Sequence, residues 1–531
     1  MTTMNRRRFI QIAAVGGVIG ISLPALMACD DDDSSEVPDG ASSTATATTA
    51  TTARRGPSNG ELRISEPFLP AALDPDSGTA SFNLMALGVA ESLMRYTPTL
   101  QVEPWLAKGL ERIDDLTWRV TLRDDATFWD GTKVDAQAVQ LSLTRSMEKQ
   151  AAVADLLPKG TVFTADGLNL TIATPTPVGL MARNLAAPNL AIKKAVTDTD
   201  FQFTGPFQVT AFTPRDSIEL TAFEGYRGGP AGIKTIQARQ VADTGARSLA
   251  LQAGDVQIAQ ALLPSDVPKL KAANLNVFSA PWARQHMIIL NVQQAPLDDA
   301  VVRRAFSLAI DRAALVNGVL EGVGAPAYGI APEEIGFKSI VRTQKSDAAE
   351  ARRILDAAGW KTGGDGIREK DGNRLSFKLG TYAGRAELEQ FAVVIIDMAK
   401  AAGMEVTIEK FADVEQTLAA NAFSATTYSI GSAAFGDLSR LLATLYTPSP
   451  RNKDRYSNER VNTAFQELLR SSDQARQDAL LKDIQTWIGE DVPIVHLVNP
   501  YQVVGASKQV RNFEPHPLDS YKYHADMQLG G

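Results

Sequence analysis

Residues 296–332 read PLDDAVVRRAFSLAIDRAALVNGVLEGVGAPAYGIAP. Pro296, Asp298 and Asp299 mark a helix start, because acidic side chains suit the positive N-terminal end of a helix. Val301, Val302, Ala305, Phe306, Leu308 and Ala309 follow at spacings of three and four, which predicts one apolar stripe. Arg303, Arg304, Asp311 and Arg312 are expected on the opposite side. A second apolar run, Leu315, Val316, Val319 and Leu320, ends at Gly322 and Gly324, a helix stop before a Pro-bounded loop. Upstream, Met287, Ile288, Ile289 and Leu290 run together ahead of Asn291 as a buried strand. The unit is strand, turn, two-part helix, glycine turn and extended loop, which belongs to an α/β layer architecture.

The chain has 531 residues, more than one ordinary domain holds, so two or three lobes are expected. A net charge of −8 argues against a nucleic-acid partner, which would need clustered Lys and Arg. With 44% hydrophobic residues there is ample core material, and no internal apolar run reaches membrane-spanning length.

The N-terminal region reads differently. Asn5-Arg6-Arg7-Arg8-Phe9-Ile10-Gln11 resembles the twin-arginine export pattern, with Gln11 where Lys is usual. A weakly apolar run over residues 12–26 leads to Leu26-Met27-Ala28-Cys29, which resembles a lipobox with Met27 as a departure. Cys29 is the only cysteine, so no disulfide can form within the chain and lipidation is its expected use. An uncleaved membrane anchor is the alternative. Residues 30–57, DDDDSSEVPDGASSTATATTATTARRGP, supply almost no apolar surface and read as a tether.

The folded body begins with a strand carrying Leu62 and Ile64 on one face, followed by an apolar-periodic helix over residues 82–93. Trp118, Val120 and Leu122 alternate with Thr117, Arg119 and Thr121 as a half-buried strand. Asp130-Gly131 is a tight turn, and Asp135 caps a helix over 136–145. Further strands are expected at 168–172, 205–209, 218–220, 236–241 and 256–259. Beyond residue 332, helices at 347–360, 391–402 and 461–488 alternate with strands at 375–379 and 406–409, and 492–497 returns the chain to its first half.

Two blocks carry a family likeness. One is the strand ending in Asn291 with the P-L-D-D-x-x-V-R-R-A, A-I-D-R and G-x-G-x-P-A wording after it. The other spans Trp105 to Val139, with T-W-x-x-x-L-R and F-W-D-G. Gly205-Pro206-Phe207 and the Gly254-Asp255-Val256 turn add to them. Together these resemble family 5 extracellular solute-binding proteins of ABC importers, the receptors for peptides, nickel chelates and related solutes, over about residues 60–510. The resemblance implies a two-lobed periplasmic-binding-protein fold of class II or cluster C type, with an extra subdomain in the first lobe and a hinge between lobes. The expected organisation is signal peptide 1–29, tether 30–57, lobe I 58–285 with an inserted subdomain at about 100–200, lobe II 286–495, and a C-terminal return 496–531. Hinge rotation is expected at 288–291 and 494–498.

Enzymatic motifs are absent: there is no G-x-S-x-G, no H-E-x-x-H and no phosphate-binding glycine loop. The four histidines, His286, His496, His516 and His524, lack metal-ligand spacing. No cofactor is expected, and a secreted hydrolase is the remote alternative. A binding protein needs aromatic faces and a few charges in an interlobe cleft. Trp282, Arg284 and His286 alternate on the way into the second lobe, either as cleft residues or as a surface strand. Tyr382 and Arg385 follow the 375–379 strand. The resemblance implies that Arg385 meets a substrate carboxylate, whereas an exposed helix-capping arginine is the plain alternative. Tyr428, Phe435 and Asp437 lie in a stretch where dipeptide receptors carry an ammonium-pairing Asp, here Ala434, and nickel-chelate receptors a metal-binding His, here Ser439. Asp437 is either an ammonium partner or a helix cap. The expected function is capture of a peptide or similar organic solute and delivery to an ABC permease with cytoplasmic ATPases. A nickel or other metal chelate is the alternative solute. The expected protein is a monomer, held to the membrane through lipid on Cys29.

Overall fold

The computed structural model describes residues 59–530, apart from Lys338, Ala383, Gly384, residues 432–436 and residues 449–451. Cys29, the export pattern, the tether and Phe435 lie outside the described residues. Among the described residues, no helix is long and apolar enough to cross a membrane.

The first lobe opens with β1 (Asn59–Glu66) and a short helix, α1 (Ala80–Ala86). This helix is shorter than its apolar periodicity suggests. Gly88, at φ +70°, turns the chain where a Cβ would lie 2.7 Å from the Tyr523 carbonyl oxygen. Val89, Ala90 and Leu93 are buried after that turn instead of on a helix face.

The chain then builds a separate small sheet. Its strands are β2 (Ala107–Arg112), β3 (Thr117–Leu122), β4 (Val162–Asp166) and β5 (Asn169–Ala173), in the order β2-β3-β5-β4. Helix α2 (Ala136–Lys149), capped by Asp135, lies against it, and Trp118, Val120, Phe128, Leu143 and Ile172 form the subdomain core. Helix α3 (Met181–Asn184) follows.

A large mixed sheet runs through both lobes. Its first-lobe strands are β6 (Phe207–Thr213), β7 (Ser217–Ala222), β8 (Ile233–Gln240), β9 (Ile258–Ala259) and β10 (Asn276–Pro281). Its second-lobe strands are β11 (Gln285–Leu290), β12 (Gly324–Pro326), β13 (Ser376–Tyr382), β14 (Glu405–Phe411) and β15 (Ala425–Ile430). The long strand β16 (Ile494–Ala506) joins them, giving the order β6-β7-β8-β1-β9-β16-β11-β15-β13-β14. Residues 494–500 of β16 pair with β11 and β12, and residues 501–506 pair with β9 and β10.

The crossing between lobes is therefore at residues 282–284 and 499–501, not at 288–291 and 494–498 as the sequence suggested. Met287 to Leu290 are hydrogen-bonded on both sides, to β15 and to β16, and fully buried, so rotation there would break two ladders. Their unbroken apolar run fits a strand covered on both faces. Ile288 and Leu290 face one core with Phe306, Phe377 and Phe391, while Met287 faces another with Leu442, Phe465 and Ile484.

The 296–332 stretch forms α4 (Ala300–Ala309) and α5 (Arg312–Val319). Asp299 accepts from Val301 N at 2.8 Å and Asp311 from Ala314 N at 3.0 Å, so each acidic residue caps a helix. Arg303 and Arg312, expected opposite the apolar stripe, are both buried. Arg312 donates to the carbonyls of His496 at 2.7 Å, Ser307 at 3.0 Å and Lys345 at 3.0 Å, and to Gln344 Oε1 at 2.8 Å. Arg303 donates to the carbonyls of Asp491, Leu297 and Asp298. A guanidinium whose donors are all spent on carbonyls can be buried without a carboxylate partner.

Helix α6 (Ala386–Ala401) follows β13, and α7 (Leu438–Leu445) follows β15. The helix read over 461–488 is two, α8 (Glu459–Arg470) and α9 (Gln474–Asp491). Asp473 breaks the run by capping α9, accepting from Ala475 N at 2.9 Å.

Candidate functional site

Strands β13 and β15 both run parallel into one edge of the sheet, ending at Tyr382 and Ile430, and antiparallel β11 starts beside them. In open α/β sheets this carboxyl edge is where ligands bind. Here it carries Arg284, Tyr382, Arg385, Tyr428 and Ser429, and beside it Ala283 N donates to the Pro517 carbonyl at 3.0 Å.

Arg284 sits in the interlobe crossing. Its guanidinium lies 4.4 Å from the Trp282 ring centroid, and its Nη1 donates to Ser429 Oγ at 3.1 Å. Trp282 is held in turn by the first lobe, donating through Nε1 to Asp519 Oδ1 at 3.1 Å. The Nε of Arg284 is buried and has no hydrogen-bond partner. Burial, then the neighbouring guanidinium of Arg385, draws Arg284 down to about 10. A guanidinium held out of water near a second cation is relieved by an anion, and carboxylates suit the planar fork of arginine.

Arg385 takes the N-cap position of α6 but makes no side-chain capping bond, and its Nη1 lies 3.7 Å from Glu387 Oε1. The plain capping role is thus unfilled. His286 is buried, with Nε2 3.5 Å from Glu387 Oε1 and the Phe391 ring 5.9 Å away. Burial, then Arg385 and Arg284, holds its imidazole well below the usual range, so it is neutral. Its Nδ1 has no partner.

Tyr382 and Tyr428 form an aromatic pair with centroids 6.3 Å apart. Tyr428 donates to Glu415 Oε1 at 2.6 Å, and burial together with that carboxylate raises its phenol. Both rings are half-buried, with faces that could pack against an organic solute.

Asp437 is separate from these. It caps α7, accepting from Ser439 N at 3.0 Å and from Ser439 Oγ at 2.6 Å, and its Oδ1 lies 3.5 Å from Arg183 Nη1 in the first lobe. The capping reading is thus in place, and Arg183 already supplies a cation to the same carboxylate. His496 donates through Nδ1 to Gln285 Oε1 at 2.6 Å, inside the second lobe and away from the edge. Among the described residues, no group of three or more His, Cys, Asp or Glu could hold a metal ion.

The structure thus joins Trp282, Arg284, Tyr382, Arg385 and Tyr428 at one edge, places His286 just behind them, and sets Asp437 apart. Sequence reasoning passed over Ser429, Glu387, Glu415 and Asp519. Ser429 was within reach, because it is registered with His286 and neighbours Tyr428 on the same strand. Asp519 lies 237 residues from Trp282, and no local pattern announces it.

Residues 101–453 match the model of the bacterial extracellular solute-binding proteins, family 5. The chain belongs to that family. The nickel-binding protein NikA of Staphylococcus aureus is 27% identical over 475 residues, covering 87% of this chain and 92% of NikA. The glutathione-binding protein GsiB of Pectobacterium atrosepticum is 27% identical over 476 residues, covering 86% of this chain and 92% of GsiB. Among solved structures, a nickel ABC transporter protein from Bacillus halodurans superposes with a TM-score of 0.77 at 27% identity, covering 88% of this chain and all of that one. The two-lobed mixed sheet is the family's fold. These relatives are named for the solutes they bind, none for a reaction.

Proposed function

We propose that this family 5 protein captures a peptide or similar carboxylate-bearing organic solute between its lobes and delivers it to an ABC permease. The observation that carries this reading is Arg284, whose buried Nε lacks a partner beside the second guanidinium of Arg385. Arg284 and Arg385 would take the carboxylate, Tyr382, Tyr428 and Trp282 would pack its organic part, and residues 282–284 and 499–501 would act as the hinge. Tat-type export and a lipid on Cys29 would hold the receptor at the outer face of the membrane.

A nickel chelate is the second reading, favoured by the NikA likeness. The same arginines would serve the carboxylates of an organic chelator, with the metal as cargo and not as a protein-ligated ion. Native mass spectrometry of gently purified protein separates the two. A peptide ladder supports the first reading, and a single small mass with a nickel isotope pattern supports the second. A bound solute retained undiminished by Arg284→Ala/Arg385→Ala would overturn the carboxylate site.

A further inference from the structure

Behind the sheet edge, His286 shares a small charged cluster with Arg284, Arg385 and Glu387. It follows Arg284 by two residues, so strand alternation sends both side chains to one face. Across the ladder, β15 sets Ser429 beside His286 and β16 sets Val498 there, and neither carries a charge. Helix α6 covers the imidazole with the Phe391 ring and brings in Arg385 and Glu387. Asp519 of the first lobe and Tyr382 of β13 act on Arg284. Among the described residues, Glu387 is the one carboxylate within 4.0 Å of the imidazole.

That carboxylate stands between two cationic partners. The same oxygen, Glu387 Oε1, lies 3.7 Å from Arg385 Nη1 and 3.5 Å from His286 Nε2. Both separations are longer than a good hydrogen bond, so neither partner has claimed it. The side chains of Arg385 and Glu387 are 33% and 28% exposed, within reach of an incoming solute, while that of His286 is 1% exposed.

The balance of these charges decides the state of the ring. A nearby opposite charge favours the imidazolium, and like charges disfavour it. Burial, Arg385 and Arg284 together keep the ring neutral. A carboxylate arriving on the two guanidiniums cancels their repulsion and leaves the attraction of Glu387 in place. The imidazole then holds a proton more readily than before.

We propose that capture of a carboxylate at Arg284 and Arg385 takes up one proton from solvent onto His286, with Glu387 as the counter-ion of the imidazolium. This inference rests on the carboxylate reading and adds a regulation to it. The solute is held more tightly as pH falls and less tightly as it rises. The sign follows from linkage: the complex carries the extra proton, so affinity gains up to about tenfold for each unit of pH lost.

The test uses the full chain, stripped of solute by unfolding in urea and refolding, with 15N in its histidine rings and acetate as the probe. The chain has four histidines, and His286→Gln or His286→Asn assigns the signal by its loss. At pH 6 the His286 ring is expected to be neutral in sodium chloride and to move toward imidazolium in sodium acetate of the same ionic strength. Acetate should bind at least about fivefold more tightly at pH 6 than at pH 8, and Glu387→Gln should lose that difference. Acetate that shifts the guanidino 15N signal of Arg284, assigned by Arg284→Lys, while His286 stays neutral from pH 8 to 5 would overturn this inference and leave the carboxylate reading standing. Acetate that leaves the Arg284 signal unmoved would overturn both.

Discussion

Arg284 reaches across from the interlobe crossing to donate to Ser429 Oγ at 3.1 Å, yet leaves its Nε buried and unpaired. Ser429 therefore fixes where the guanidinium points and leaves its remaining donors for something else. An unpaired buried donor is costly, so a solute that supplies the acceptor gains more than a surface contact would give.

The first prediction concerns that donor. Truncating one partner of a buried charge-assisted pair costs about 2–5 kcal/mol. Arg284→Ala should weaken binding of the co-purified solute, eluted and titrated back by calorimetry, at least about 30-fold. Arg284→Lys should recover little, because a point charge lacks the planar fork. Ser429→Ala should cost only a few-fold, since it orients and does not bind. Wild-type affinity in Arg284→Ala would remove Arg284 from the site.

Arg312 is the structural counterpart, a guanidinium spent wholly within the protein. Its carbonyl partners come from α4, the 344–346 segment and β16, so it ties the family-typical helix pair to the central sheet. Arg312→Ala leaves those carbonyls unsatisfied and should lower unfolding free energy by about 3–5 kcal/mol in urea titrations. Arg304→Ala, on the exposed face of the preceding helix α4, should change it by less than about 0.5 kcal/mol.

His496 sets a pH dependence. Burial first, then Arg312, lowers its imidazole to about 3, against a free value near 6.5. The folded protein keeps it neutral while the unfolded chain protonates below about 6.5. Stability is therefore full above that pH and falls as pH drops toward 3, by up to ~1.4 kcal/mol per unit. His516, drawn down to about 4 by burial, acts in the same direction. Between pH 6.5 and 5, the parent should lose about 2 kcal/mol more than His496→Gln in urea unfolding. Equal losses would place the effect elsewhere.

Asp454 works in the opposite sense. Burial raises its carboxyl to about 8, and its Oδ2 has no partner, while Oδ1 accepts from Tyr456 N at 2.9 Å. The unfolded chain ionises above about 3.8, so this group's contribution falls as pH rises from there to 8. Asp454→Asn keeps the Oδ1 acceptor and removes the ionisation. It should stabilise the protein by up to about 5 kcal/mol at pH 7.5 and by less than about 1 kcal/mol at pH 4, as read by Tm at the two pH values.

Much of the fold was legible because its signals are local. Asp299 caps a helix where the wording places it, Met287 to Leu290 form a buried strand, and Trp118, Val120 and Leu122 alternate into a core. Arg303 and Arg312 misled, because helical periodicity sorts residues by polarity and cannot see carbonyls arriving from β16 or the 344–346 segment. The 461–488 helix misled in the same way, since Asp473 is polar either as a cap or as a surface residue.

By itself, then, the sequence determined the secondary-structure rhythm, the family-typical blocks and the residue types a solute site requires, because these depend on neighbours a few positions apart. Tertiary structure alone decided which of the candidates meet. It brought Trp282 to Asp519 and Arg284 to Ser429 and Arg385, and it gave Asp437 to Arg183 and to its own helix. The Trp282–Asp519 and Asp437–Arg183 pairings each span more than two hundred residues and join opposite lobes, and no local spacing encodes a distance that the folded chain has to close.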